Sequence, residues 1–246
     1  MCRLFLIFTF VAIGIVVESK FPDDPKPCKY EESECIIKII NYLMKEKFEG
    51  DKSFNLVKVD PLAVSQISIK QGEESPVNID LNFKDNTIAG VRNSVTYKVK
   101  GFGKDLTQKH EIQTTIPIVS LVGPYTIKGK VLILPIRGSG KSNITMVNTD
   151  FKLSFTGTPE EINGATYLQI HDLNLDFEPE RMYYDFGNLF NGDKALGENM
   201  NLFLNENWRE ILQEVKASIR SAFAQIFQSV INNVFKKYPY EKWFAE

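Results

Sequence analysis

Hydrophobic residues recur along this chain in three successive rhythms, and each change of rhythm marks a change of element. From Ser33 onward Ile36, Ile39, Ile40, Leu43 and Met44 fall at three- and four-residue steps, which predicts an amphipathic helix capped by Ser33 and ended by Gly50. Ahead of it, Phe21 to Pro27 holds Pro22, Pro25 and Pro27 with Asp23 and Asp24, a stretch that cannot be helical and reads as a surface lead-in. Beyond Phe54 the period drops to two. Val77, Ile79, Leu81 and Phe83 alternate with Asn78, Asp80, Asn82 and Lys84, the signature of a strand with one wet face. The alternation returns in Val95-Tyr97-Val99, Ile112-Thr114-Ile116, Tyr125 to Ile133 and Phe151-Leu153-Phe155. Turns are expected at Asp85-Asn86, Gly138-Ser139-Gly140 and Asn163-Gly164. No helical pattern interrupts this meander up to Phe177, which argues against parallel crossover units and their nucleotide-binding switch points.

Near Asn205 the rhythm becomes helical and holds to about Lys237, with Trp208, Ile211, Leu212, Val215, Ile219, Phe223, Phe227 and Val230 in register. Such a helix rises ~48 Å, whereas a compact body of about 227 residues has a radius of gyration near 17 Å and a diameter near 45 Å. The helix must therefore run the length of the molecule. Its apolar stripe needs a partner of equal length, and the inner face of the sheet is the candidate. The expected fold class is α+β: a long curved antiparallel sheet wrapped around one long C-terminal helix, with a short N-terminal helix.

The first residues change the picture. Arg3 followed by an apolar run from Leu4 to Val17, with Ser19 at the cleavage spacing, reads as a signal peptide over 1–19, leaving 20–246 as one domain. Fourteen residues of helix reach only about 21 Å, short of the ~30 Å hydrocarbon core. Export removes Cys2 and leaves Cys28 and Cys35, which are expected to bond to each other in an oxidising compartment. Removing Arg3 and Glu18 keeps the formal net charge at -2, which argues against a nucleic-acid partner. Asn143-Ile144-Thr145 is a glycosylation sequon.

Candidate chemistry is sparse. His110, between Lys109 and Glu111, and His171, before Asp172, read as surface histidines, and no serine or cysteine sits in a recognisable nucleophile elbow. Gly140-Lys141-Ser142 imitates the end of a phosphate loop, but Pro135 stands where the first glycine belongs, so it reads as a hairpin tip. Two histidines far from the cysteine pair cannot complete a zinc site, and neither metal nor cofactor is expected. The chain reads as a non-enzyme. An interaction module with a filled core and, more remotely, a small lipid hydrolase stand as alternatives.

The signal peptide, the paired cysteines opening a helix (Cys28-Lys-Tyr-Glu-Glu-Ser-Glu-Cys35-Ile-Ile-Lys-Ile-Ile), the strand-rich middle and the long C-terminal helix occur here in one order. Together with Asp85-Asn-Thr-Ile-Ala-Gly-Val and Tyr125-Thr-Ile-Lys-Gly-Lys-Val, that ordered set resembles the takeout and juvenile-hormone-binding family of insects. The resemblance covers the mature chain. It implies an apolar tunnel between sheet and helix and a secreted, extracellular carrier of terpenoid, fatty-acid-like or juvenile-hormone-like ligands. The absence of cysteines for a second disulfide places the chain nearer the takeout-like branch. Residues expected to line the tunnel are Ile36, Ile40 and Leu43 on the first helix, Tyr125, Ile127 and Val131 on a strand, and Trp208, Val215, Ile219, Phe223 and Phe227 on the last helix. Gly129 is expected to leave room among them, and Tyr125, Tyr167, Tyr183 and Tyr184 are candidates to supply an orienting hydroxyl. The expected partners are a small apolar ligand and an extracellular receptor, with the protein a monomer that makes no integral membrane contact.

Overall fold

The computed structural model describes residues 21–72 and 75–245; the signal peptide expected over 1–19 lies outside the described residues. In chain order, strand β1 (Cys28–Lys29) and helix α1 (Ser33–Glu46) come first. Six strands follow: β2 (Leu62–Lys70), β3 (Val77–Ala89), β4 (Val95–Lys100), β5 (Lys109–Val131), β6 (Leu134–Ile162) and β7 (Ala165–Phe186). Helices α2 (Lys194–Glu206) and α3 (Trp208–Phe235) and a short strand β8 (Phe244–Ala245) complete the chain. The six strands form one antiparallel sheet, five of them in the order β2-β3-β5-β6-β7 and β4 paired with β5 beside that path. Along β5, β3 pairs from Val131 to Ser120 and β4 takes over from Thr115 to Glu111.

Strand length dictates curvature. The 29 residues of β6 would span ~96 Å if straight, more than twice the ~42 Å of the 28-residue α3. Only a coiled and bent sheet keeps both against one core. Register shifts between Phe83 and Thr87, Thr96 and Lys98, and Ser154 and Thr156 provide bends.

The Asn163-Gly164 turn joins β6 to β7 as expected, with φ of 51° and 80°. The other two expected turns are not turns. Asp85, at φ 54°, is the bulge inside β3. Gly138 to Gly140 lie within β6 opposite Ile127 to Tyr125, so Gly140-Lys141-Ser142 is no hairpin tip either. These glycines serve close approach: a Cβ on Gly140 would sit 2.4 Å from the Gly187 carbonyl oxygen. The reversal falls instead at Leu132-Ile133, where Ile133 is 86% exposed.

The expected long helix is α3, and a further helix, α2, which the apolar pattern did not announce, precedes it. Asp193 caps α2, its carboxylate accepting from the Leu196 N–H, and the chain breaks helical geometry at Asn207, whose side-chain amide donates to the Phe203 carbonyl. At the other end Ser33 is not the cap of α1. Glu32 precedes the helix without a side-chain cap, while the Ser33 hydroxyl donates to the Val99 carbonyl of β4 at 3.0 Å. The helix stops at Glu46, before Gly50.

The free edge of β7 is covered by side-chain amides. Asn201, Asn205 and Asn232 each donate to and accept from the backbone of one residue, Phe186, Tyr184 and Ile170 respectively. Gln228 accepts from the Leu173 N–H and Arg220 donates to the Leu175 carbonyl. The helices thus stand where another strand would pair, and they satisfy an edge that would otherwise be bare.

Candidate functional site

Segments near both ends of the described residues meet at the cavity wall, where Cys28, Trp243 and Phe244 cap it. A disulfide joins Cys28 in β1 to Cys35 in α1, with Cα atoms 5.7 Å apart, and β1 pairs with β8 through Cys28 and Phe244. Tyr30 stacks on Phe244 at 4.7 Å. Phe21 and Phe235 lie edge-on to Trp243, each at 5.3 Å.

Behind this cap lies a cavity of about 300 Å³, at the lower end of the ~300 to 1,000 Å³ range of ligand pockets. Six of the expected tunnel residues line it: Ile36, Ile40 and Leu43 from α1, and Ile219, Phe223 and Phe227 from α3. The sheet adds Ile112 and Ile116 of β5, Phe151 and Phe155 of β6, and Phe177 of β7. No charged side chain is among the lining residues, and the cap contributes Cys28, Trp243 and Phe244.

The other five expected residues do not line this cavity. Tyr125, Ile127, Val131, Trp208 and Val215 are buried but outside the cavity lining. Ile127 and Val131 are register partners of Leu81 and Val77 on β3. The Tyr125 hydroxyl donates to the Gly187 carbonyl at 2.9 Å and its ring lies 4.7 Å from Phe186; burial pushes its pKa up to about 12. Gly129 leaves no room, because at φ +140° a Cβ would lie 2.1 Å from the Asn78 carbonyl oxygen.

A family model described as haemolymph juvenile hormone binding protein (JHBP) matches residues 4–245. The chain belongs to that family. It is 26% identical over 245 residues to the circadian clock-controlled protein daywake of Drosophila melanogaster, covering 98% of this chain and 94% of the relative. It is 27% identical over 249 residues to the daywake of Drosophila yakuba, covering 99% and 96%. The crystal structure of Epiphyas postvittana Takeout 1 superposes with a TM-score of 0.74 at 23% identity, over 87% of this chain and 96% of that one. The likeness in fold includes the long antiparallel sheet and long C-terminal helix.

In this JHBP-family chain the tyrosine candidates do not reach the cavity. Tyr184 donates to the Met182 sulfur at 3.3 Å, and burial raises its pKa; Tyr183 is half exposed, and neither it nor Tyr167 lines the cavity. The hydroxyl-bearing lining residues are Ser94, Thr96 and Thr114. Nothing in an alternating pattern marks Thr114 as special, since threonine is an ordinary strand residue.

His110 is not on the surface. It is fully buried, its ring 4.8 Å from Phe102 and 5.1 Å from Phe155, with Nδ1 accepting from the Phe102 N–H at 2.9 Å and Nε2 facing the Leu106 carbonyl at 3.3 Å. The flanking Lys109 and Glu111 disguised it, because in a strand neighbours of opposite register face opposite ways. Burial lowers its pKa. His171 is exposed on β7. Lowering pH from about 8 to 5 is expected to lower the melting temperature. The unfolded state takes a proton near its ordinary value of ~6.5 while folded His110 resists it, so stability is full above that value and lost below it. An NMR titration of the two histidines checks this, with the His110 midpoint expected below 6.5; a midpoint above it contradicts the assignment.

Asn143 is exposed within β6, its side-chain oxygen accepting from the Thr145 hydroxyl at 3.1 Å. Between β2 and α3 runs an open groove of about 1420 Å³, faced by Ser218, Ser221, Gln225 and Ser229 and sharing Leu62 and Val230 with the cavity wall. Its lining mixes hydroxyl, amide, lysine and aliphatic side chains, whereas that of the cavity is almost wholly apolar. Among the described residues no helix is long and apolar enough to cross a membrane.

Cys28→Ser is expected to cost about 2 to 3 kcal/mol of stability, the chain-entropy value for so short a loop. Because Cys28 also lines the cavity and pairs with Phe244, the same change should speed release of a bound lipophilic probe. Thermal melting and stopped-flow dilution measure the two effects. Unchanged release with lowered stability would separate the disulfide from the cap.

Proposed function

We propose that this chain is a secreted carrier of a small apolar ligand, held in the cavity between α1, α3 and the sheet. The observation that carries the reading is an interior void of about 300 Å³ with no charged residue in its lining. Close packing is the rule for protein interiors, and a void of this size is maintained against the cost of lost contacts. Membership of a family described as binding juvenile hormone supports a carrier over an enzyme. Burying about fifteen carbons is worth roughly 12 kcal/mol at ~0.8 kcal/mol per CH₂, against an association cost of ~4 to 15 kcal/mol. Micromolar binding therefore needs no strong polar anchor, and tighter binding does. Export through a signal peptide over 1–19, carbohydrate on Asn143 and delivery to an extracellular receptor belong to the same proposal.

Organic extraction of protein purified from a secreting host, followed by mass spectrometry, tests it. A carrier releases an apolar molecule in amounts approaching one per chain. Protein that yields no such molecule and, once stripped, takes up no N-phenyl-1-naphthylamine is not a carrier.

A further inference from the structure

The cavity wall contains one buried hydroxyl without a partner. Among the described residues four buried side-chain polar atoms make no hydrogen bond, those of Asn86, Gln108, Thr114 and Thr149, and of these residues only Thr114 lines the cavity. Its side chain turns inward with Ile112 and Ile116, which flank it at two-residue steps and also line the cavity. Thr96 on β4 is its cross-strand register partner, is 3% exposed, and lines the same wall. Side chains so paired stand about 5 Å apart. Two threonines thus sit side by side in a surface otherwise made, apart from Cys28 and Ser94, of isoleucine, leucine, valine, methionine and aromatic rings. Rotation about χ1 exchanges hydroxyl and methyl at one site, so the Thr114 hydroxyl can meet a ligand atom while the backbone stays in place.

A buried hydroxyl left unbonded is costly, and native interiors seldom retain one without a use. Resting on the carrier reading, we propose that Thr114, with Thr96 beside it, is the polar subsite of the cavity, and that it selects ligands carrying a neutral oxygen on an apolar body: an alcohol, ester or ketone. A threonine hydroxyl donates to a carbonyl or ester oxygen and accepts from an alcohol, so it serves all three. A carboxylate is a different matter. No cation lines the cavity, and an unpaired charge taken from water into such a site is strongly disfavoured, so an acid enters in its protonated form or not at all.

The test uses the full mature protein and displacement of N-phenyl-1-naphthylamine by four twelve-carbon compounds: dodecane, dodecanol, methyl dodecanoate and, at pH 8, dodecanoate. Wild type should bind the alcohol and ester more tightly than the alkane and the anion. Thr114→Val should weaken the alcohol and ester about three- to tenfold, the worth of one hydrogen bond, and leave dodecane within twofold. Its melting temperature should hold or rise, because the unpartnered hydroxyl is gone. The double variant Thr96→Val with Thr114→Val should bring alcohol, ester and alkane together. If Thr114→Val leaves the preference for alcohol and ester intact, or weakens all compounds equally, the subsite is wrong while the carrier reading stands. Wild type that binds neither the probe nor dodecane overturns the carrier reading and the subsite with it.

Discussion

Ile219→Trp is expected to abolish uptake of N-phenyl-1-naphthylamine, weakening it by more than about tenfold, while the melting temperature stays within a few degrees of wild type. Ile219 lines the cavity, so the added indole enters space that is already empty. Val215 lies four residues earlier on the same face of α3 and is 5% exposed, but it does not line the cavity. Val215→Trp is therefore expected to overpack its buried surroundings, at a cost of ~1 to 3 kcal/mol or more, and to spare probe binding. One helical turn separates two opposite outcomes. Measuring probe fluorescence and thermal melting on both variants decides the matter. If Ile219→Trp melts several degrees lower and binds the probe unchanged, the void is misplaced.

Asn232→Ala is expected to destabilise the protein by about 2 to 5 kcal/mol. The Asn232 amide accepts from the Ile170 N–H at 2.8 Å and donates to the Ile170 carbonyl at 3.0 Å, and Ile170 is completely buried. Alanine leaves both backbone groups unsatisfied, at ~1 to 3 kcal/mol each. At ~2 to 4 °C per kcal/mol for a chain of this size, the melting temperature falls by roughly 4 to 20 °C. Thermal or urea unfolding measures it. A loss below about 1 kcal/mol would mean that water reaches the β7 edge and that α3 is not stitched to it.

The period-two strands and the amphipathic stripes of α1 and α3 were legible because burial on one face imposes them on the sequence. Helix α2 was not. The α2 segment, Lys194–Glu206, carries Gly197 and three asparagines, and two of those, Asn201 and Asn205, are committed to the β7 edge. A polar residue used to close a sheet edge looks in sequence like a solvated one. The same ambiguity hid His110, fully buried between two outward charges, and turned Gly138 and Gly140 into an expected turn when they serve close backbone approach.

The cavity was legible only in part, for a different physical reason. Val215 and Ile219, like Ile127 and Ile116, obey the same inward pattern whether they meet a packed neighbour or a void. Periodicity reports which way a side chain faces, and the space in front of it depends on how far apart the curved sheet holds the helices.

Methyl-labelled NMR addresses the central claim most directly. With isoleucine and valine methyl groups labelled and unlabelled dodecanol added, a carrier cavity predicts intermolecular contacts from the alkyl chain to the methyls of Ile40, Ile116 and Ile219, and none to those of Ile127, Val131 and Val215. Contacts to the second set, or no contacts to the first at saturating dodecanol, would contradict it.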